Sequence, residues 1–260
     1  GYSCVTRFYR GPHKHGPKDG RCCGVATQPH SSMYDALAGA ALEYPQNAAL
    51  NYYGTKTTYA QLLQQVEQAT KLLREQGLRS GDRVIICLPN IPQFVVAFYA
   101  LNKLGAIPCM VHPLSTAPEL AEYIQQSHSR YLMTLDFLYP QFEGILKDSG
   151  VEMTFVTQVD EQLPPLLSLM YFLRQGYKRP NLKNKQKLLS WRITTTDHSP
   201  ATLTDSFIFD PHEPALILFS GGTTGQAKGV LLSNGNMNAL AREVVAQVKP
   251  QPKTDAMLCV

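Results

Sequence analysis

Apolar residues recur along this chain at two spacings that take turns. Leu62, Leu63, Val66, Ala69, Leu72 and Leu73 follow a helical period, and Thr58-Tyr59-Ala60-Gln61 before them has the form of a capping box. Gly77 stops that helix, and Ser80-Gly81-Asp82 turns into a predicted strand over residues 83–88. Asn90-Ile91-Pro92-Gln93 reads as the cap of a second helix reaching about Leu104. Its Phe94, Val95, Phe98, Tyr99, Leu101 and Leu104 leave little polar face, which predicts burial. Gly105 ends it and residues 107–111 return as a strand, a βαβ unit that implies parallel pairing and a right-handed crossover. Thr116-Ala117-Pro118-Glu119 opens a further helix past Ile124, and residues 131–135 and 153–156 read as strands with a helix near 141–147 between them. Such alternation predicts an α/β fold, a mostly parallel sheet flanked by helices.

Two short apolar runs, residues 215–219 and 230–232, enclose Ser220-Gly221-Gly222-Thr223-Thr224-Gly225-Gln226-Ala227-Lys228-Gly229. Runs this short, bounded by glycine, suit buried strands, so the polar stretch is predicted to join two strands. A Walker loop opens into a helix and needs Gly directly before its Lys; here Ala227 precedes Lys228. The composition still suits polyphosphate. Glycines let backbone N–H groups point inward, the hydroxyls of Ser220, Thr223 and Thr224 can meet phosphate oxygens or a magnesium ion, and Lys228 supplies compact positive charge. The plainer reading is a glycine-rich hairpin with solvated threonines. Behind it, Ser233 or Asn234 is expected to cap a helix containing Met237, Leu240, Val244 and Val245.

Composition narrows the class. Apolar content of 44% and charged content of 17% describe a globular protein. No run approaches a membrane span and the start shows no apolar signal region, so a cytoplasmic protein is expected. Residues 1–32 carry the whole formal charge of +4, through Arg7, Arg10, Lys14, Lys18 and Arg21 against Asp19, and the remainder is neutral. A general nucleic-acid-binding surface is therefore not supported. Rich in Gly, Pro, His and Cys, residues 1–32 are predicted to be a disordered leader or upstream read-through, with Met33 as the hypothesised true start and 33–260 as the globular part. His13, His15, Cys22 and Cys23 match no zinc spacing, and no metal is assigned to them. Cys87, Cys109 and Cys259 sit in apolar runs and read as reduced core residues. Residues 163–196 hold Arg174, Lys178, Arg179, Lys183, Lys185, Lys187 and Arg192 with no acidic residue, behind a leucine-rich run. Two readings stand: an insertion packing its leucines on the main domain, or a basic amphipathic segment (163–192) lying on an anionic membrane.

The string Ser220 to Gly229 resembles the phosphate-binding signature of the adenylate-forming (AMP-binding) superfamily, which includes acyl-CoA synthetases, luciferases and peptide-synthetase adenylation domains. The family's usual Pro before the lysine is Ala227 here. Residues 81–90 and 101–108 resemble its early core motifs, and Val111-His112-Pro113-Leu114-Ser115-Thr116-Ala117-Pro118-Glu119-Leu120 is nearest to long-chain acyl-CoA synthetases. The resemblance runs from roughly Tyr34 to Val260 and makes this the N-terminal part of the family's large domain. It implies ATP and Mg²⁺, with coenzyme A as co-substrate. A carboxylic acid, fatty by this resemblance, attacks the α-phosphorus of ATP to give an acyl-adenylate and pyrophosphate, and a thiol then displaces AMP.

The resemblance assigns Ser220 to the magnesium ion or the γ-phosphate, Gly221, Gly222 and Gly225 to a backbone cradle, Thr223 and Thr224 to phosphates, and Lys228 to charge stabilisation. The family's catalytic lysine comes from a small C-terminal domain, and its His-x-Asn element reads Asn234-Gly235-Asn236 here. No catalytic residue is therefore assigned within 1–260. The chain reads as a truncated piece, about half of a family member, expected to be inactive and aggregation-prone by itself. An adenylation domain for an amino or aryl acid, or a non-catalytic nucleotide-binding module, are the alternatives.

Overall fold

The computed structural model describes residues 8–9, 31–175, 187–191, 210, 212–220, 227–250 and 256–257. In chain order the elements are β1 (Phe8–Tyr9), α1 (Met33–Glu43), β2 (Ala48–Tyr52), β3 (Thr55–Thr58), α2 (Tyr59–Glu75), β4 (Arg83–Cys87), α3 (Pro92–Leu104), β5 (Ile107–Met110), α4 (Ala117–Ser127), β6 (Tyr131–Leu135), α5 (Tyr139–Leu146), β7 (Met153–Thr157), a 3₁₀ turn Val159–Gln162, α6 (Pro165–Gln175), β8 (Leu188–Ser190), β9 (Pro214–Ser220), β10 (Lys228–Ser233), α7 (Asn234–Val248) and β11 (Ala256–Met257). Seven strands form one sheet in the order β10-β9-β5-β4-β6-β7-β8. Every pairing in it is parallel except β9 with β10. The predicted α/β fold with a mostly parallel sheet is the observed one.

The central strands β4 to β7 are largely apolar because both their faces are covered. On one face α1, α2 and α3 deliver Leu37, Val66, Leu73, Val96 and Leu101 against Val84 and Ile86 of β4. On the other, Leu120 and Ile124 of α4 and Phe142 of α5 pack against Ile85, Cys109 and Ile217. Burial pushes the Cys87 thiol up to about 12 and raises that of Cys109, so both are neutral, free core thiols. Cys259 lies outside the described residues.

Several local expectations move. Asn90 caps nothing: α3 starts at Pro92 behind Ile91, which makes no side-chain cap. Gln93 is drawn into the core at 1% exposure, where its Nε2 donates to the Gln158 carbonyl at 2.9 Å. The helix expected near 141–147 begins at Tyr139. The β2–β3 hairpin is an addition to the predicted elements. Ser31 and Ser32, assigned to the leader, belong to the fold: Ser32 caps α1 with Asp35 as its box partner, and the Ser31 carbonyl accepts from Asn238 at 2.6 Å. Phe8–Tyr9 pairs with Ala256–Met257, and the rest of 1–30 lies outside the described residues. The insertion reading of 163–196 holds in part: Leu189 and Trp191 pack on the core, whereas Leu166, Leu169 and Leu173 of α6 are mostly exposed. No helix among the described residues is long and apolar enough to cross a membrane.

Candidate functional site

The two apolar runs around the polar loop become β9 and β10, an antiparallel pair in which Lys228 faces Ser220 and Gly229 faces Phe219. Because β9 runs parallel to β5, its end at Ser220 lies at the carboxyl edge of the sheet. That edge is where open α/β sheets bind ligands. The hairpin mouth is closed by a bond from the Ser220 hydroxyl to the Lys228 carbonyl at 3.3 Å, with both residues exposed. Of the predicted site residues the structure brings together Ser220 and Lys228. Gly221, Gly222, Thr223, Thr224 and Gly225 lie outside the described residues.

A magnesium ion suits this chemistry as far as Ser220 is concerned. The hydroxyl spends its proton on the Lys228 carbonyl, which leaves oxygen lone pairs for a hard cation. Mg²⁺ keeps several waters and leans on substrate phosphates, so one protein hydroxyl is a reasonable share of its shell.

The hairpin is seated on α4. The Phe219 ring lies 4.4 Å, centroid to centroid, from that of Tyr123, and Gly229 leaves room beside it. Next to this seat is a cavity of about 450 Å³ bordered by Lys228, Phe219, Ile217 and Arg83, whose Nη1 donates to the Ser127 carbonyl at 2.7 Å. The sequence reading missed Phe219 and Tyr123 as supports, because only the three-dimensional pairing brings a helix residue onto a strand nearly a hundred positions later. His13, His15, Cys22 and Cys23 lie outside the described residues.

After the hairpin, α7 begins under a capping box between Ser233 and Asn236, so Ser233 rather than Asn234 is the cap. Asn234 is buried instead. Its Oδ1 accepts from Asn102 Nδ2 at 2.9 Å and from the Met33 backbone N–H at 3.0 Å.

Comparison with known proteins agrees with this geometry. The sequence model of a family described as AMP-binding enzyme matches residues 37–260. The long-chain-fatty-acid–CoA ligase of Bacillus subtilis (strain 168) is 29% identical over 212 residues, covering 81% of this chain and 38% of that protein. The crotonobetaine/carnitine–CoA ligase of Salmonella agona (strain SL483) is 29% identical over 218 residues, with 82% and 38% covered. The chain thus spans 38% of the length of these relatives, less than the half expected. Among solved structures, a long-chain-fatty-acid–CoA ligase of Archaeoglobus fulgidus superposes with a TM-score of 0.63 at 22% identity, over 86% of this chain and 41% of that one. The anthranilate–CoA ligase AuaEII, in complex with anthranoyl-AMP, does so with a TM-score of 0.64 at 19% identity, over 84% and 36%.

Proposed function

Because this chain belongs to the AMP-binding enzymes, we propose that it is the nucleotide-gripping portion of an ATP-dependent acid–CoA ligase, acting on a fatty acid. The observation that carries this is the hairpin of β9 and β10, whose glycine- and threonine-rich connection leaves the carboxyl edge of a parallel sheet between paired Ser220 and Lys228. The fatty-acid preference follows the name of the Bacillus subtilis relative and the resemblance of residues 111–120.

In this reading the first half-reaction joins a carboxylate oxygen to the α-phosphorus of ATP and releases pyrophosphate. The obstacle is electrostatic, since an anion must approach a polyanion while charge grows on the departing group. Lys228 and the backbone N–H groups of Gly221, Gly222 and Gly225 meet that charge, with Thr223 and Thr224 donating to phosphate oxygens. Ser220 offers its oxygen to Mg²⁺, which when bound supplies Lewis-acid neutralisation of the phosphates. The second half-reaction, in which the coenzyme A thiol displaces AMP, is assigned to no residue of 1–260.

The test is pyrophosphate release from ATP and fatty acid by a polypeptide carrying this chain with the remainder of a family member. Thr224→Ala and Lys228→Ala are each expected to lower the rate by on the order of 10²-fold, as for a lost transition-state donor. Wild-type rates in both variants would remove the assignment. Parallel assays with aryl and amino acids decide the substrate class; the anthranilate–CoA ligase among the structural neighbours makes an aryl acid the second candidate.

A further inference from the structure

The helix α6 is amphipathic the wrong way round for a soluble protein. Its half-buried positions are Ser168 and Tyr171. Leu166, Leu169, Met170, Phe172 and Leu173 point outward and are 54–70% exposed. A soluble helix buries its apolar stripe and shows its polar one. A contiguous apolar face of this kind marks an interaction surface.

Charge identifies the partner. From residue 163 to 196 the sequence carries seven basic residues and no acidic one. Arg174 at the end of α6 and Lys187 before β8 are exposed; Lys187 also feels Glu152 of the main body. Asp160 and Glu161 lie just upstream, and Glu161 is engaged with the Thr157 hydroxyl at 3.2 Å. An outward apolar face that ends on Arg174 and is followed in sequence by further basic residues and no acidic one fits a surface that is apolar below and anionic above. At 11 residues α6 is about 16 Å long, about half the hydrocarbon thickness of a bilayer, so it suits lying in the interface rather than crossing. We propose that α6 is a docking helix for anionic phospholipid surfaces, seating Leu166, Leu169, Met170, Phe172 and Leu173 among the acyl chains. Delivery of fatty acid from that bilayer to the nucleotide-gripping hairpin rests on the ligase reading above; the docking itself does not.

Vesicle flotation tests it with this 260-residue chain, since aggregates sink and vesicle-bound protein rises. Partition onto phosphatidylcholine vesicles containing phosphatidylglycerol is expected to exceed that onto phosphatidylcholine alone by about tenfold or more, and to weaken as salt is raised. The combined variant Leu166→Ser, Leu169→Ser, Leu173→Ser should no longer float, with its melting temperature unchanged because those side chains are mostly exposed. Equal partition onto both vesicle types, or none, overturns the proposal. So does a lower melting temperature in the variant, which would make α6 an internal packing face, or a loss of dimer, which would make it a contact between copies. Acid activation is scored separately on the polypeptide completed with the remainder of a family member, so a ligase that fails to float and a floating protein with no ligase activity are told apart.

Discussion

Among the described residues of the hairpin, Gly229 is the glycine whose small size is needed. It sits opposite Phe219 in the β9–β10 register, and a Cβ there would come 3.2 Å from Ile217 Cγ2 and 3.4 Å from the Phe219 ring. Phe219 in turn stacks on Tyr123 of α4, so the missing side chain lets the strand that leads into the loop lie flat on the helix below. Valine at this position has to push that ring aside. Gly229→Val is expected to destabilise the fold by about 1–3 kcal/mol, the usual cost of overpacking, measured by urea unfolding. An unchanged midpoint would show that Phe219 is not held by this contact. From the sequence alone, Gly229 reads as one more loop glycine that frees the backbone for phosphate. Its packing role depends on which residue lies across the ladder, and no local pattern carries that.

Four helices, α1, α2, α4 and α7, start with reciprocal capping boxes. In α4 Glu119 Oε2 accepts from the Thr116 N–H at 2.7 Å and from its hydroxyl at 3.0 Å, which holds the carboxyl below its ordinary range. Thr116→Ala is expected to cost about 1 kcal/mol in chemical denaturation. A carboxyl lowered in the fold contributes stability above its unfolded pKa and loses it as pH falls through the folded value. The gap between wild type and variant should therefore narrow below about pH 4, and a gap that widens there would contradict the box. The boxes at Thr58 and Thr116 are legible because the partner stands three residues on, ahead of an apolar period. The same form misleads at Asn90, where Pro92 takes the first helical position and Gln93 goes inward to satisfy the Gln158 carbonyl. The β2–β3 hairpin hides for another reason. Its strands are short and half-exposed, β3 is polar, and its turn is set by Tyr53 and Gly54 at φ of 50° and 95°. In α6 the residues are legible but their direction is not, since only the folded chain shows Ser168 and Tyr171 turned inward and Leu166, Leu169 and Leu173 outward.

Across the whole molecule, the loop and its anchor stand at opposite edges of the sheet. Ser220 ends β9 at the carboxyl edge, while Ser233 ends β10 opposite Pro214, where β9 begins, and hands the chain to α7. At that lower edge Asn234 takes one hydrogen bond from the Met33 backbone, 201 residues away, and one from Asn102, 132 away. Asn102 Oδ1 then accepts from the Tyr34 N–H at 2.9 Å, and Asn238 reaches the Ser31 carbonyl. This buried set fastens α1, α3 and α7 together beneath the hairpin, with Asn102 at 5% and Asn234 at 7% exposure. Asn234→Ala strands two buried donors at once, at about 1–3 kcal/mol each. It should lower the melting temperature by several degrees, at roughly 2–4 °C per kcal/mol for a chain of this size. Hydrogen exchange at the Met33 amide should accelerate with it. If the hairpin grips nucleotide as proposed, the folded fraction should keep its ATP affinity, because the lesion lies at the edge away from Ser220. Stability unchanged by Asn234→Ala would mean that the helices hold their places without this junction, and a loss of affinity at constant stability would mean that the two edges are coupled.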